Sequence, residues 1–304
     1  MEESFKLTIA VITMNRQEQL VEALDSCLKC TLPIRTEFVV LDNASTDKTM
    51  DIMNNFIENH PEHVIRVHHS NENLGVGGGR SLAFELSRGE YVYFLDDDAV
   101  ISEDSKDMFF IDTLEYLDKN PNVASLTTRI YDEMLVADRE VEVSNKTMVS
   151  GLPVVFKFLG GSHFLRSSVF EKPLYFNIKY GCEEYAPSIK SQNEGFYHVF
   201  DEHVCIIHKP SVNKWIVGTQ NQQYVESCGC AARYATKKML YPIVFLPLLW
   251  AAYKMRCYKY LRCYPGAKKK TNLMVREIVK NNSCEKISCK TVVGFIKEFG
   301  LTVL

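Results

Sequence analysis

No apolar run in the 304-residue chain looks able to cross a bilayer. The strongest, Leu240–Tyr253 (LYPIVFLPLLWAAY), is about 14 residues against the roughly 20 a spanning helix needs, and Pro242 and Pro247 interrupt it. A secretory leader is lacking too. The opening Met1-Glu2-Glu3-Ser4 is acidic and leads at once into a strand pattern, so a cytoplasmic protein is expected. Net charge is only −3, which implies no bulk electrostatic partner and no nucleic acid. There is no Gly-Lys-Ser/Thr of a phosphate-binding loop, no internal repeat and no low-complexity tract. Cys27-x-x-Cys30 has no second such pair at zinc-finger spacing. Cys27 shares an apolar helix face with Leu20, Ala23, Leu24 and Leu28, so packing is its expected role, and the ten scattered cysteines read as free thiols.

What is there is a regular alternation. Lys6–Ile12, Glu37–Leu41, Val64–His68 and Glu90–Leu95 are short, near-continuous apolar runs, the mark of strands buried on both faces. Between them, 16–30 and 46–59 have helical periodicity, with Ser45 as a candidate cap. Asn71–Gly79 reads as a glycine-rich loop before a helix over 80–87. This order predicts a doubly wound, mostly parallel α/β sheet of the Rossmann type, which binds ligands beyond the carboxyl ends of its strands. Further on, 105–120 reads as a helix, and 123–128, 154–159, 163–165, 196–200 and 204–208 as strands. Residues 130–150 give no clear pattern, and 181–195 are a polar stretch in which Glu183-Glu184 could also be a charged helix start.

Polar groups cluster at those carboxyl ends: Thr13-Met14-Asn15-Arg16, Asp42-Asn43, and Asp96-Asp97-Asp98. Solvated loops would explain them. So would a ligand, because three adjacent carboxylates repel unless a cation or polar group offsets them. Oxygen ligands suit Mg²⁺ or Mn²⁺ bridging to a diphosphate. His208, ending an apolar strand, is either a structural histidine or a second metal ligand that favours Mn²⁺. In Gly75-x-Gly77-Gly78-Gly79-Arg80 an arginine holds the last glycine position of a dinucleotide fingerprint, which disfavours a nicotinamide enzyme. Glycines still let backbone approach a ligand closely, and Arg80 suits a phosphate.

Taken in order, Val11-Ile12-Thr13-Met14-Asn15-Arg16, Val40-Leu41-Asp42-Asn43-Ala44-Ser45-Thr46-Asp47, Asn73-Leu74-Gly75-Val76-Gly77-Gly78-Gly79-Arg80 and Leu95-Asp96-Asp97-Asp98 resemble family 2 glycosyltransferases of the GT-A fold. Gly160-Gly161, Glu183-Glu184 and His208 extend the likeness to about residue 212. The resemblance implies a metal-dependent, inverting transfer from a nucleoside-diphosphate sugar to a glycan or lipid-linked acceptor. Thr13, Asn15, Arg16, Asp42, Asn73, Arg80, Asp96 and Asp97 would then bind the donor. Asp98 and His208 would hold Mn²⁺ or Mg²⁺, and Gly160 and Gly161 would border the acceptor. Glu184, or its neighbour Glu183, would be the general base. The family's second Asp is Ala186 here and its Arg is Lys190, which keeps open a non-catalytic nucleotide-sugar or glycan binder. A nucleotidyltransferase is disfavoured, since no glycine-rich basic loop follows the first strand.

The expected organisation is a GT-A domain over 1–212, with a nucleotide-binding half to residue 100 and an acceptor and base half after it, then a helical basic extension over 213–304. Residues 231–270 hold ten of the 35 basic residues and none of the 38 acidic ones. With Leu240–Tyr253 inside it, this segment suits either peripheral contact with the inner face of a membrane or a helical subdomain packed on the core.

Overall fold

The structure is a computed structural model that describes residues 5–210 and 219–304. The expected boundary at 212–213 lies outside the described residues. Chain order is β1 (Phe5–Thr13), α1 (Gln17–Leu28), β2 (Thr36–Asp42), α2 (Thr49–Asn59), β3 (Val64–His69), α3 (Gly75–Leu86), β4 (Gly89–Asp96), β5 (Ala99–Ile101) and α4 (Ile111–Lys119). Then come β6 (Val123–Asp132), β7 (Ala137–Asp138), β8 (Val143–Val149), β9 (Leu152–Val155), β10 (Ser162–Arg166), α5 (Tyr185–Asn193) and β11 (Tyr197–His208). Four helices follow: α6 (Thr219–Leu240), α7 (Leu246–Leu261), α8 (Ala267–Asn281) and α9 (Cys289–Phe299).

The sheet runs β3-β2-β1-β4-β10-β6-β11-β9-β8. β1, β2, β3 and β4 are parallel, β10 lies antiparallel between β4 and β6, and β6 is parallel to β11. Alternate residues explain the continuous apolar runs. Leu7, Ile9 and Val11 of β1 face one core with Leu20, Leu24 and Cys27 of α1. Ala10 of β1 faces the other core, with Val39, Leu41 and Phe84. Cys27 thus packs as a hydrophobe, and each such side chain contributes roughly 1.5–3 kcal/mol of burial. A third core joins α6–α9 to Tyr185, Ala186 and Ile189 of α5.

Four local readings change. The glycine segment is the first turn of a helix: a side chain at Gly75 would meet the Lys179 backbone at 2.9 Å, and one at Gly77 the carbonyls of Phe176 and Ile178 at 2.9 Å. The glycines let residues 176–179 cross over α3. The polar stretch 181–195 contains α5, whose apolar side is supplied by Ala186 and Ile189 and faces the C-terminal helices. The two expected strands 196–200 and 204–208 are one strand, β11, with an irregularity between Asp201 and Cys205. α2 starts at Thr49, where Asp47 accepts the amide of Thr49 (3.0 Å), because Ser45 Oγ is taken by the Asn15 amide (2.8 Å). Among the described residues no helix is long and apolar enough to cross a membrane.

Candidate active site

Strand register gathers the polar groups on one sheet edge. β1 pairs Ile12 with Asp96 of β4 and Thr13 with Asp42 of β2, so the strand ends are level. Beyond Asp96 the chain turns and returns as β5, antiparallel to β11, which pairs Ala99 with His208. The Lys209 amide donates to the Asp98 carbonyl (2.7 Å), fixing the two segments together. β6 runs parallel to β11 and sets Asp132 opposite His208.

A cleft of about 910 Å³ opens here. Thr13, Arg16, Asn73, Arg80, Asp96, Asp97, Asp98, Gly160, Gly161, Glu183, Glu184 and His208 all line it. Two expected residues lie behind its wall, with Asn43 on the cleft surface instead. Asp42 is fully buried and accepts from the Ser45 amide (2.9 Å), with His69 Nδ1 2.8 Å from its other oxygen. Asn15 Oδ1 accepts the amides of Thr46 (2.7 Å) and Asp47 (3.3 Å). Both residues shape the 45–47 loop.

The three aspartates are compensated in three ways. Asp96 Oδ1 accepts from Arg80 Nη2 at 2.6 Å. Asp97 accepts from Thr13 Oγ1 (2.7 Å) and Arg16 Nη1 (2.8 Å). Asp98 accepts from the same Arg16 nitrogen (2.5 Å) and faces His208 Nε2 (3.2 Å). Burial pushes Asp97 up to about 7 despite Arg16. Burial also acts to raise Asp98, but the His208 and Arg16 contacts outweigh it and hold that carboxyl below the usual range. His208 is raised in turn, because Asp98 outweighs its burial.

Asp96, Asp98 and His208 each offer one donor atom, and these lie within 4.8 Å of one another. Two carboxylate oxygens and an imidazole nitrogen fit a divalent cation of the Mn²⁺ or Mg²⁺ class. Asp132 Oδ2 lies 3.1 Å from His208 Nδ1, and Arg139 Nη2 is 2.8 Å from Nδ1 and 3.1 Å from Nε2.

Across the cleft, Arg80 Nη1 donates to Glu183 Oε1 at 2.5 Å, so one buried guanidinium ties the Asp triplet to the glutamate pair. Burial, then the neighbouring Glu184, pushes Glu183 up to about 7 against the pull of Arg80. Its buried Oε2 has no hydrogen-bond partner among the described residues. Lys157 also lines this side; burial acts to lower its ammonium, but Glu184 together with Tyr185 and Cys182 leaves it raised.

Asp132, Arg139 and Lys157 were not singled out from the sequence. Lys157 had a signal, being a lysine inside the apolar run 154–159. Asp132 would follow if the strand at 123–128 were extended through Ile130 to the same sheet edge. Arg139 lies in the stretch 130–150 that has no pattern.

Comparison with known proteins agrees with this geometry. A poly(ribitol-phosphate) beta-glucosyltransferase of Bacillus spizizenii is 30% identical over 101 residues, which is 33% of this chain and only 16% of that protein. Among solved structures, residues 1–349 of Staphylococcus aureus TarS in complex with UDP match with a TM-score of 0.58 at 16% identity, covering 86% of this chain and 74% of that one. The mannosyltransferase PcManGT of Pyrobaculum calidifontis, in complex with GDP-Man and Mn²⁺, matches with a TM-score of 0.56 at 16% identity, over 97% and 80% of the two chains. These likenesses show the GT-A fold. The family model for glycosyl transferase family 2 matches residues 8–172, more than half of the sequence, and the chain belongs to that family.

Proposed function

We propose that the protein is an inverting, metal-dependent glycosyltransferase that moves a sugar from a nucleoside-diphosphate sugar to an acceptor hydroxyl on a glycan or lipid-linked substrate. One observation carries this reading: a single cleft joins the Asp96–Asp98–His208 donor set to Glu183 and Glu184 through Arg80. Asp98 and His208 would hold Mn²⁺ or Mg²⁺, with Asp96 offering a third donor atom. When bound, that cation supplies charge neutralisation for the leaving diphosphate. Arg16 and Arg80 add fixed positive charge on the same side, and Asn73 and Thr13 position the nucleotide. Asp42 and Asn15 support the loop beneath it.

Glu184 is the base. Glu183 is held by Arg80 and raised to about 7 by burial, whereas Glu184 lies beside Gly160 in the same cleft. Glu184 takes the proton of the acceptor hydroxyl while its oxygen attacks the anomeric carbon and the bond to the diphosphate breaks. One base facing one leaving group makes a single displacement, hence inversion. Gly160 and Gly161 leave room for the acceptor. The test is calorimetry with a panel of nucleoside-diphosphate sugars, with and without Mn²⁺. Asp98→Ala should abolish metal-dependent donor binding. Glu184→Gln should keep binding and lose about 10²–10⁴ in transfer rate. Near-normal turnover in that variant would move the base elsewhere.

A further inference from the structure

We propose that the outward face of α7, with the turn before it, docks on an anionic lipid bilayer. α7 buries one stripe into the C-terminal core: Leu249, Tyr253, Cys257 and Leu261, four residues apart. On a surface helix the opposite side should be polar. Here it is apolar. Leu248, Met255 and Tyr258 are 52%, 67% and 69% exposed, and Ile243 and Val244 in the preceding turn are 71% and 64% exposed. These five positions follow one another along the side of the helix away from the buried stripe. A contiguous exposed apolar strip of this kind marks an interaction surface.

Charge selects the occupant. Residues 231–270 contain ten Lys or Arg and no Asp or Glu. Lys259 and Arg262 lie on the outward side of α7, and Lys268, Lys269 and Lys270 are exposed at the start of α8. Several cations sit over aromatic rings: Lys254 over Trp250 at 4.9 Å, Arg262 over Tyr258 at 5.6 Å. Amphipathic aromatics beside basic heads suit the headgroup layer of a bilayer. A second copy on this face would bring two basic segments together, which like-charge repulsion disfavours. The sixteen residues of α7 span about 24 Å, too short to cross a bilayer and suited to lying flat in its surface.

Behind α7, Arg233 of α6 lies 5.3 Å over the ring of Tyr185, the residue after Glu184, and Tyr185 shares the C-terminal core with the buried stripe of α7. Docking needs no transfer activity.

The test is co-sedimentation of the full chain with vesicles of phosphatidylcholine alone and of phosphatidylcholine mixed with phosphatidylglycerol. Binding to the anionic vesicles, weak binding to the neutral ones and release at high salt are expected. Each basic residue near the surface adds about fivefold to affinity, so Lys259→Glu with Arg262→Glu should lower anionic binding by more than tenfold. Leu248→Glu with Met255→Glu should lower it similarly. Leu248, Met255 and Lys259 are in the outward half of α7 and Arg262 is exposed just after its last residue, so the melting temperature should be unchanged, and donor binding in solution should match the wild type. Absence of vesicle binding, equal binding to both vesicle types, or full binding by either folded variant would overturn the proposal. Concentration-dependent dimerisation lost in Leu248→Glu with Met255→Glu, without vesicle binding, would assign the face to a second copy instead. Loss of transfer with intact vesicle binding would count against the catalytic reading and leave docking standing.

Discussion

Gly160→Ala is expected to damage turnover far more than stability. A methyl group there would lie 2.4 Å from Glu184 Oε1 and 2.7 Å from Arg80 Nη1. Ordinary contact with the carboxylate begins near 3.4 Å, so something must move by about 1 Å. Arg80 is poorly able to give way: its guanidinium is 2.5 Å from Glu183 and 2.6 Å from Asp96, and its side chain is only 7% exposed. The displacement therefore falls mainly on Glu184. A catalytic group misplaced by that amount costs about 10² in rate, or roughly 2.7 kcal/mol of transition-state stabilisation.

The fold should register much less. Gly160 is not among the glycines with a left-handed backbone, so alanine meets no backbone strain. Overpacking costs about 1–3 kcal/mol, and the lower entropy of the unfolded chain returns about 0.4–1 kcal/mol. Release of nucleoside diphosphate in a coupled assay should thus fall about a hundredfold, with a melting shift of a few degrees. Gly161→Ala is the control on the metal side, since its methyl group would approach Asp96 Oδ2 only to 3.1 Å. A well-folded Gly160→Ala enzyme working within about threefold of wild type would refute the placement of Glu184 as base, whatever its effect on donor affinity.

Three further outcomes follow from the charged groups. Arg80→Met leaves Glu183 and Asp96 without their shared cation, which should cost about 3–5 kcal/mol in urea unfolding at pH 8. Glu183 is raised to about 7 in the fold, above its unfolded value, so its ionisation opposes folding as pH rises. The loss in Arg80→Met should accordingly shrink toward pH 5, and equal losses at both pH values would contradict this. Asp132→Asn weakens the group that orients His208 Nδ1 and should lower Mn²⁺ affinity about 10–100-fold in titration calorimetry, with the fold intact; unchanged affinity would remove Asp132 from the site. His198 is buried between Ser125 Oγ (2.6 Å) and Ser191 Oγ (3.0 Å), and burial lowers it to about 4. Its folded value is depressed, so its contribution is full above about pH 6.5 and is lost as pH falls toward 4, on the order of 1 kcal/mol per pH unit. His198→Gln should flatten that part of the stability profile, and an unchanged slope would show that other groups cause it.

The first four strands were legible because strands buried on both faces have no polar side and read as apolar runs. Their ends then expose Thr13 and the Asp triplet at fixed places. Long-range pairing was not legible. Asp132 meets His208 only through the parallel register of β6 and β11, which an irregularity after Asp201 shifts. No local pattern carries that offset. α5 was missed because its apolar side is short and faces helices more than 30 residues later in the chain. The glycine segment was read as a loop on propensity, yet its glycines are selected by the backbone of 176–179, a contact distant in sequence. The tail carried two signals at once. Leu249 and Tyr253 pack inward, as a helical subdomain on the core requires, while Leu248 and Met255 face out.

The turn between β4 and β5 also separates the three aspartates. It sets Asp97 against Thr13 and Arg16, where burial raises it to about 7. A carboxyl so placed is a poor metal ligand, since ligation needs the carboxylate. Asp96 and Asp98 each offer an oxygen toward His208, and Asp98 is held below the usual range. Repulsion within the triplet is therefore relieved before any ligand arrives, by two arginines from different segments. Arg16 takes Asp97 and Asp98, and Arg80 takes Asp96 together with Glu183. Because both guanidiniums line the cleft, the charges that stabilise the aspartates also face the place where a diphosphate would sit. The same pair of contacts links donor side to base side, which is why substitutions at Arg80 should disturb fold and chemistry together, whereas those at Gly160 should separate them.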